Sequence, residues 1–188
     1  MNKHNLTGII LAGGKSSRMG RDKGLIDYQG KPLIQYSIDV LKNICKKIFI
    51  SSSNEKYHFL GYNVIPDEIE GIGPIGGIYS CLKKSKTSLN VVLSCDTPFI
   101  TEELIFYILS FINGYDVIVP SGSGGVPEPL CGIYHKDIIS RVEENINKGS
   151  YMMKELLEQV NCKIISIPEK TLKRTPDIFK NINYPRDF

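Results

Sequence analysis

The chain has 188 residues, of which 41% are hydrophobic and 23% charged, and a formal net charge of +3. That length corresponds to one domain with a sizeable core, and the composition is that of a soluble globular protein. The small charge, with lysines spread along the chain, gives no ground for a nucleic-acid partner, and no apolar run approaches the ~18 residues needed to span a bilayer.

The first predicted element is an apolar strand over Gly8–Leu11, running into a loop that holds Gly13, Gly14, Arg18, Met19, Gly20 and Lys23. Glycines let a backbone approach a ligand and present bare N–H groups to anionic oxygens. Arg18 and Lys23 add charge where a polyphosphate would sit. The loop is not a Walker A motif, whose first glycine would fall on Ile9. A helix over Pro32–Ile44 follows, with Pro32 in its first turn and Leu33, Ser37, Leu41 and Ile44 on one face.

Next come strands over Lys47–Ser51 and Asn63–Ile65, the second leading to Asp67. Gly71–Gly76 matches G-x-G-x-x-G, but it does not follow the first strand, and Pro74 removes a donor that a pyrophosphate site would want. Glu68 and Glu70 are read as solvated loop charges. After a helix over Pro74–Lys84, a strand over Asn90–Leu93 ends in Ser94-Cys95-Asp96-Thr97-Pro98-Phe99. A carboxylate fixed at a strand's carboxyl end beside a phosphate loop suits Mg²⁺, so Asp96 is the candidate metal ligand. Asp96 is too far from the helix over Glu102–Asn113 to be a good cap, whereas Thr101 is well placed as its N-cap.

Strands over Asp116–Val119, Gly132–Tyr134 and Lys163–Ile167 and helices over Lys136–Asn147 and Tyr151–Val160 complete the pattern, with Ser150 as a second N-cap and Ser121–Gly125 as a mobile surface loop. The three histidines do not cluster, and the five cysteines form no C-x-x-C pair. Buried reduced thiols, with neither disulfide nor zinc, are expected. The first residues enter strand one without an apolar leader, which predicts a cytoplasmic protein.

Alternating strands and helices predict an α/β fold, a three-layer α/β/α sandwich around a mainly parallel sheet. Ligands then bind beyond the carboxyl ends of the strands, which puts the Gly13–Lys23 loop, Asp67 and Asp96 on one rim. The whole of 1–188 is read as one domain, its nucleotide-binding part about 1–100 and its acceptor-binding part about 101–188.

Leu11–Lys23 resembles L-A-G-G-x-S-x-R-M-G-x-D-K, the signature of MobA-type molybdenum cofactor guanylyltransferases, at every fixed position. Cys95–Phe99 resembles the C-D-x-P-F motif of the same family, and Val64–Ile78 its V-x-D…G-P-L-A-G segment, with Ile75 and Gly76 where Leu and Ala are usual. Glu128-Pro129-Leu130 with Tyr134, and Asn181-Ile182-Asn183, are similar to two further family segments, although Tyr184 replaces the usual threonine. The resemblance implies a Rossmann-like nucleotidyltransferase fold. It implies transfer of GMP from GTP to molybdopterin or molybdenum-molybdopterin, with Mg²⁺ as cofactor and release of pyrophosphate. By the same resemblance Leu11, Ala12, Gly13, Gly14, Lys23, Asp67 and Asp96 bind GTP, and Arg18, Lys23 and Asp96 carry the catalysis. Glu128, Pro129, Leu130, Asn181 and Asn183 hold the acceptor. Neither a nucleic acid nor a membrane is an expected partner, and transient contact with other cofactor-biosynthesis proteins or molybdoenzymes is. Two alternatives stay open: a relative with another base or acceptor, such as a molybdopterin cytidylyltransferase, and a non-catalytic nucleotide-binding module. Leu11-Ala12-Gly13-Gly14 and Asp96-Thr97-Pro98 differ from the L-A-A-G and D-Q-P of the cytidylyl branch.

Overall fold

Leu6–Leu11 forms β1, buried along its whole length in the computed structural model, which describes residues 5–13 and 22–183. β1 alternates between two cores. Ile10 packs with Ile34, Ile38 and Leu41 on one face of the sheet, while Ile9 and Leu11 pack with Ile75, Ile78 and Leu82 on the other. A strand covered on both faces has no polar side, hence its continuous apolar run.

The remaining strands are β2 (Asp27–Tyr28), β3 (Lys31–Pro32), β4 (Lys47–Ser51), β5 (Asn63–Ile65), β6 (Leu89–Ser94), β7 (Val117–Ser121), β8 (Cys131–His135) and β9 (Cys162–Ser166). The helices are α1 (Leu33–Ile44), α2 (Pro74–Lys84), α3 (Glu102–Leu109), α4 (Ile139–Asn147), α5 (Met153–Gln159) and α6 (Glu169–Arg174). Seven strands form one sheet in the order β5-β4-β1-β6-β8-β7-β9. β1 pairs in parallel with β4 and β6, setting Ile10 beside Ile50 and Leu93. β8 is antiparallel to both its neighbours. One rim of the sheet therefore collects the carboxyl ends of β1, β4, β5, β6, β7 and β9, together with the amino end of β8. Residues of α1 and α3 join the core on the Ile10 face, and residues of α2, α4 and α5 the core on the other. This is the three-layer arrangement expected from the sequence.

The sequence reading missed three features. β2 and β3 form a tight hairpin turned by Gln29 and Gly30, both at positive φ (52° and 90°). Primed turns of this kind match the twist of a two-stranded ribbon. α6 went unrecognised. Ser150 is not the N-cap of α5, a position taken by Met152; its hydroxyl pairs with Glu155. Thr101 caps α3 as expected, accepting from Leu104 N at 3.3 Å, and α3 ends at Leu109 rather than Asn113. Of the expected loop over Ser121–Gly125, Ser121 is the end of β7 and Ser123–Gly125 is a short 3-10 turn, with Gly122 N donating to Val126 O at 2.8 Å. Among the described residues, no helix is long and apolar enough to cross a membrane.

Candidate active site

The rim is built around the end of β1. Ala12 N donates to Ser51 O (2.9 Å) on the β4 side, and Leu11 O accepts from Cys95 N (3.1 Å) on the β6 side. Leu11 and Ala12 are buried with these backbone groups already used, so Gly13 is the first exposed residue at the rim. Gly14 and Arg18 lie outside the described residues.

Asp96 follows β6, and both of its carboxylate oxygens are bonded. Lys23 Nζ donates to Asp96 Oδ2 at 2.5 Å, both side chains being 17% exposed. Ser94 Oγ donates to Asp96 Oδ1, also at 2.5 Å. Ser94 thereby orients the carboxylate. Lys23 also donates to Asn183 Oδ1. The chain around Asn183 is held by Ile182, whose backbone N donates to Asp96 O at 2.9 Å and whose side chain is 1% exposed. Ile182 packs with Tyr28 of the unforeseen hairpin and with Leu33, with Phe99 alongside. The hairpin thus provides the apolar seat that brings Asn183 to Lys23. The sequence assigned Lys23 to the nucleotide and Asn183 to the acceptor; the two side chains meet. Asn181 is exposed one residue before the Ile182 anchor.

Asp67 lies across β1 from Asp96, beyond β5. Ser51 Oγ donates to Asp67 Oδ1 at 3.0 Å, and burial raises the carboxyl pKa above the usual range despite that bond, with Glu70 adding to the rise. Glu68 is more than a solvated charge: it pairs with Lys83 at 2.5 Å, and its N–H donates to Ser80 Oγ. α2 enters beside this group through Gly73, at φ 75°. A Cβ at Gly76 would stand 2.9 Å from Ile69 O and from the Ile72 side chain, and one at Gly77 would run into Ser51 Oγ. These two glycines therefore let α2 pack closely on the protein itself.

Glu128, Pro129 and Leu130 precede β8 and reach the rim because β8 runs backwards. Leu130 O accepts from Ser94 N (3.0 Å), and Pro129 O accepts from the Tyr134 hydroxyl (2.6 Å). The Glu128 carboxyl is half-buried, and burial raises its pKa. Cys45, Cys81, Cys95 and Cys131 are buried free thiols as expected, whereas Cys162 is only partly buried; burial pushes Cys81, Cys95 and Cys131 far up, and Cys162 up to about 11.

Sequence reasoning missed a polar cluster behind Lys23. Asp22 Oδ1 accepts from the Tyr57 hydroxyl and from Gly24 N (3.2 Å), and Asp22 Oδ2 accepts from Asn54 Nδ2 (2.7 Å). Asp22 was visible in the x-D-K end of the signature; Tyr57 belongs to no motif.

Among the described residues no three His, Cys, Asp or Glu side chains converge on a common point. One rim carboxylate, completed by phosphate oxygens, is nevertheless the hard-oxygen donor set that Mg²⁺ takes in nucleotide enzymes. Asp96 fits that role.

The MobA-like NTP transferase domain family matches residues 8–163. The probable molybdenum cofactor guanylyltransferase of Pyrococcus horikoshii is 40% identical over 190 residues, covering 97% of this chain and 96% of that protein. That of Flavobacterium johnsoniae is 38% identical over 164 residues, covering 87% of this chain and 86% of its own. The crystal structure of molybdopterin-guanine dinucleotide biosynthesis protein A from Archaeoglobus fulgidus superposes with a TM-score of 0.79 at 26% identity, over 96% of this chain and 94% of that one.

Proposed function

We propose that this chain, which belongs to the MobA-like NTP transferase family, transfers the GMP unit of GTP to the phosphate of molybdopterin or molybdenum-molybdopterin and releases pyrophosphate, acting in the cytoplasm. The observation that carries the reading is the Lys23–Asp96 pair at the end of β6, on the rim that Gly13 enters after β1. The acceptor phosphate is already anionic and needs no protein nucleophile, so catalysis reduces to positioning and charge neutralisation at the α-phosphate. Residues up to about 100 would hold the nucleotide, and the later residues the acceptor.

Lys23, and Arg18 of the glycine loop, would neutralise charge on the transferring and leaving groups. Gly13 and Gly14 would offer N–H groups to phosphate or base, and Leu11 and Ala12 would form the floor beneath them. Asp67 would face the nucleotide from the β5 side. Glu128, Pro129, Leu130, Asn181 and Asn183 would grip the pterin acceptor, asparagine amides matching the donors and acceptors of a polar ring. Asp96 would hold Mg²⁺, and the bound ion would withdraw electron density from the phosphoryl oxygens.

The test supplies each nucleoside triphosphate with Mg²⁺ and molybdopterin and measures pyrophosphate. A clear preference for GTP is expected; turnover with CTP instead would overturn the reading. Asp96→Asn, nearly isosteric, should abolish turnover while circular dichroism is unchanged.

A further inference from the structure

Lys23 opens a 3-10 turn of only three residues, Lys23–Leu25. The Lys23 head group reaches Asp96 and Asn183, but a flexible four-carbon side chain keeps that placement only as well as so short a turn holds its backbone. Placement matters, because a charge displaced by about 1 Å from a reacting phosphate can lose much of its effect.

What holds this turn is Asp22, its N-cap, whose carboxylate accepts from three groups among the described residues. Gly24 N closes the cap within the turn. The other two, Asn54 Nδ2 and the Tyr57 hydroxyl, come from the connection between β4 and β5. Asn54 uses both ends of its amide: Oδ1 accepts from Lys56 N at 3.0 Å, capping the 3-10 helix Glu55–Leu60 that carries Tyr57. Asn54 is itself tied to the sheet, since its N–H donates to Ser52 Oγ (3.1 Å) and Ser52 N donates to Ile65 O (3.0 Å). Tyr57 is fully buried, and burial together with the Asp22 carboxylate keeps its hydroxyl protonated, so it remains a donor. A Cβ at Gly24 would run into that hydroxyl, so the turn is seated directly on Tyr57. A line of hydrogen bonds thus runs from β5 at the edge of the sheet through Ser52 and Asn54 to Asp22, where the buried Tyr57 hydroxyl joins it, and on to the turn that carries Lys23.

We propose that Tyr57, acting through Asp22, is a positioning residue that holds the Lys23 ammonium on Asp96 and so on the reacting phosphates. The identity of those phosphates rests on the guanylyltransferase reading; the positioning itself does not.

Tyr57→Phe removes only the hydroxyl. Its first measurement needs no turnover: Lys23 is acetylated with acetic anhydride and the modified peptide quantified by mass spectrometry. The rate at Lys23 should rise severalfold over wild type, with exposed Lys154 as an unchanged internal reference. With GTP and molybdopterin, kcat should fall about tenfold while KM for GTP stays within about twofold, because the displaced charge acts mainly on the transition state. In a Lys23→Ala background Tyr57→Phe should lower kcat no further, since a residue that acts through another loses its effect when that other is gone. Asp22→Asn leaves the buried ring in place and should shift Lys23 labelling in the same direction, covering the case in which Tyr57→Phe does not fold. A lowered melting temperature with unchanged Lys23 labelling in both variants would overturn the proposal and leave Tyr57 a core residue. Raised labelling in the variants, with a wild type that transfers no guanylyl group, would uphold the positioning and sink the assigned reaction.

Discussion

At the scale of single residues, the rim carboxylates divide by how they are compensated. Asp96 faces a lysine and a serine, whereas among the described residues Asp67 accepts from the Ser51 hydroxyl alone and has its pKa raised by burial. A carboxyl whose pKa is raised on folding costs stability when ionised, and the cost disappears as pH falls and it protonates in both states. Asp67→Asn keeps an oxygen for Ser51 and removes the charge. It should raise the melting temperature at pH 7 and lower guanylyl transfer sharply, and the stability gain should be gone by about pH 3, below the ordinary carboxyl value of 3.8. Scanning calorimetry at both pH values, with a pyrophosphate assay, checks this. Residues at this scale were legible where a motif announced them. Asp96, Lys23 and Asp67 stood out because glycines, a proline and a strand end surrounded them. Tyr57 and Ser51 did not, because a buried tyrosine and a strand-end serine look like ordinary core and edge residues until the chain folds back on them.

At the scale of elements, α2 presents a conflict between local and tertiary preference. Alanine is usual where this chain has Gly76, and helix propensity alone favours alanine by about 1 kcal/mol. The observed space does not admit it, since Ile69 O and Ile72 already occupy the position of a Cβ. Overpacking of this kind costs about 1–3 kcal/mol. Net of the helix gain, Gly76→Ala should therefore destabilise the protein by up to about 2 kcal/mol in urea denaturation, the reverse of what a helix scale gives. In the C-terminal segment, the residues around Asn183 are anchored by Ile182, and Ile178 buries its side chain four residues earlier. Ile182→Ala should cost about 2–4 kcal/mol, felt mainly in that segment, so that tryptic cleavage at Lys180 accelerates and transfer activity falls with it. Element boundaries were legible where apolar periodicity was long: β4, β5 and α2 fall where the pattern set them. The hairpin was not, because strands of two residues carry no alternation. Nor was the reversed direction of β8, because a strand buried on both faces reads the same either way.

For the whole molecule, acid stability is a sum of opposed contributions. On the surface of α1, Asp39 is opposed by partial burial, but hydrogen bonds from Lys31, Lys42 and Gln35 hold its carboxyl down at about 2 against an ordinary 3.8. That stabilisation is complete above the ordinary value and is lost as pH falls from about 4 toward 2. Asp67 and Glu128, both raised by burial, change in the opposite sense. Asp39→Asn should lower stability by about 1 kcal/mol at pH 6, after allowance for solvent screening of a third-exposed group. The difference should close by pH 2 in denaturant melts.

The reversal of β8 also decides where the molecule can be divided. The sheet is two runs of strands, β5-β4-β1-β6 and β8-β7-β9, joined along a single antiparallel seam from Leu89–His135 to Leu93–Cys131. Each run is nearly contiguous in sequence. A nascent chain that has emerged only as far as Gly114 already holds every strand of the first run, but with β6 as a bare, apolar edge. That edge stays open until β8 arrives and closes it, about twenty residues later. The same strand that delivers Glu128–Leu130 to the rim is thus also the cover over the most adhesive surface the growing chain presents.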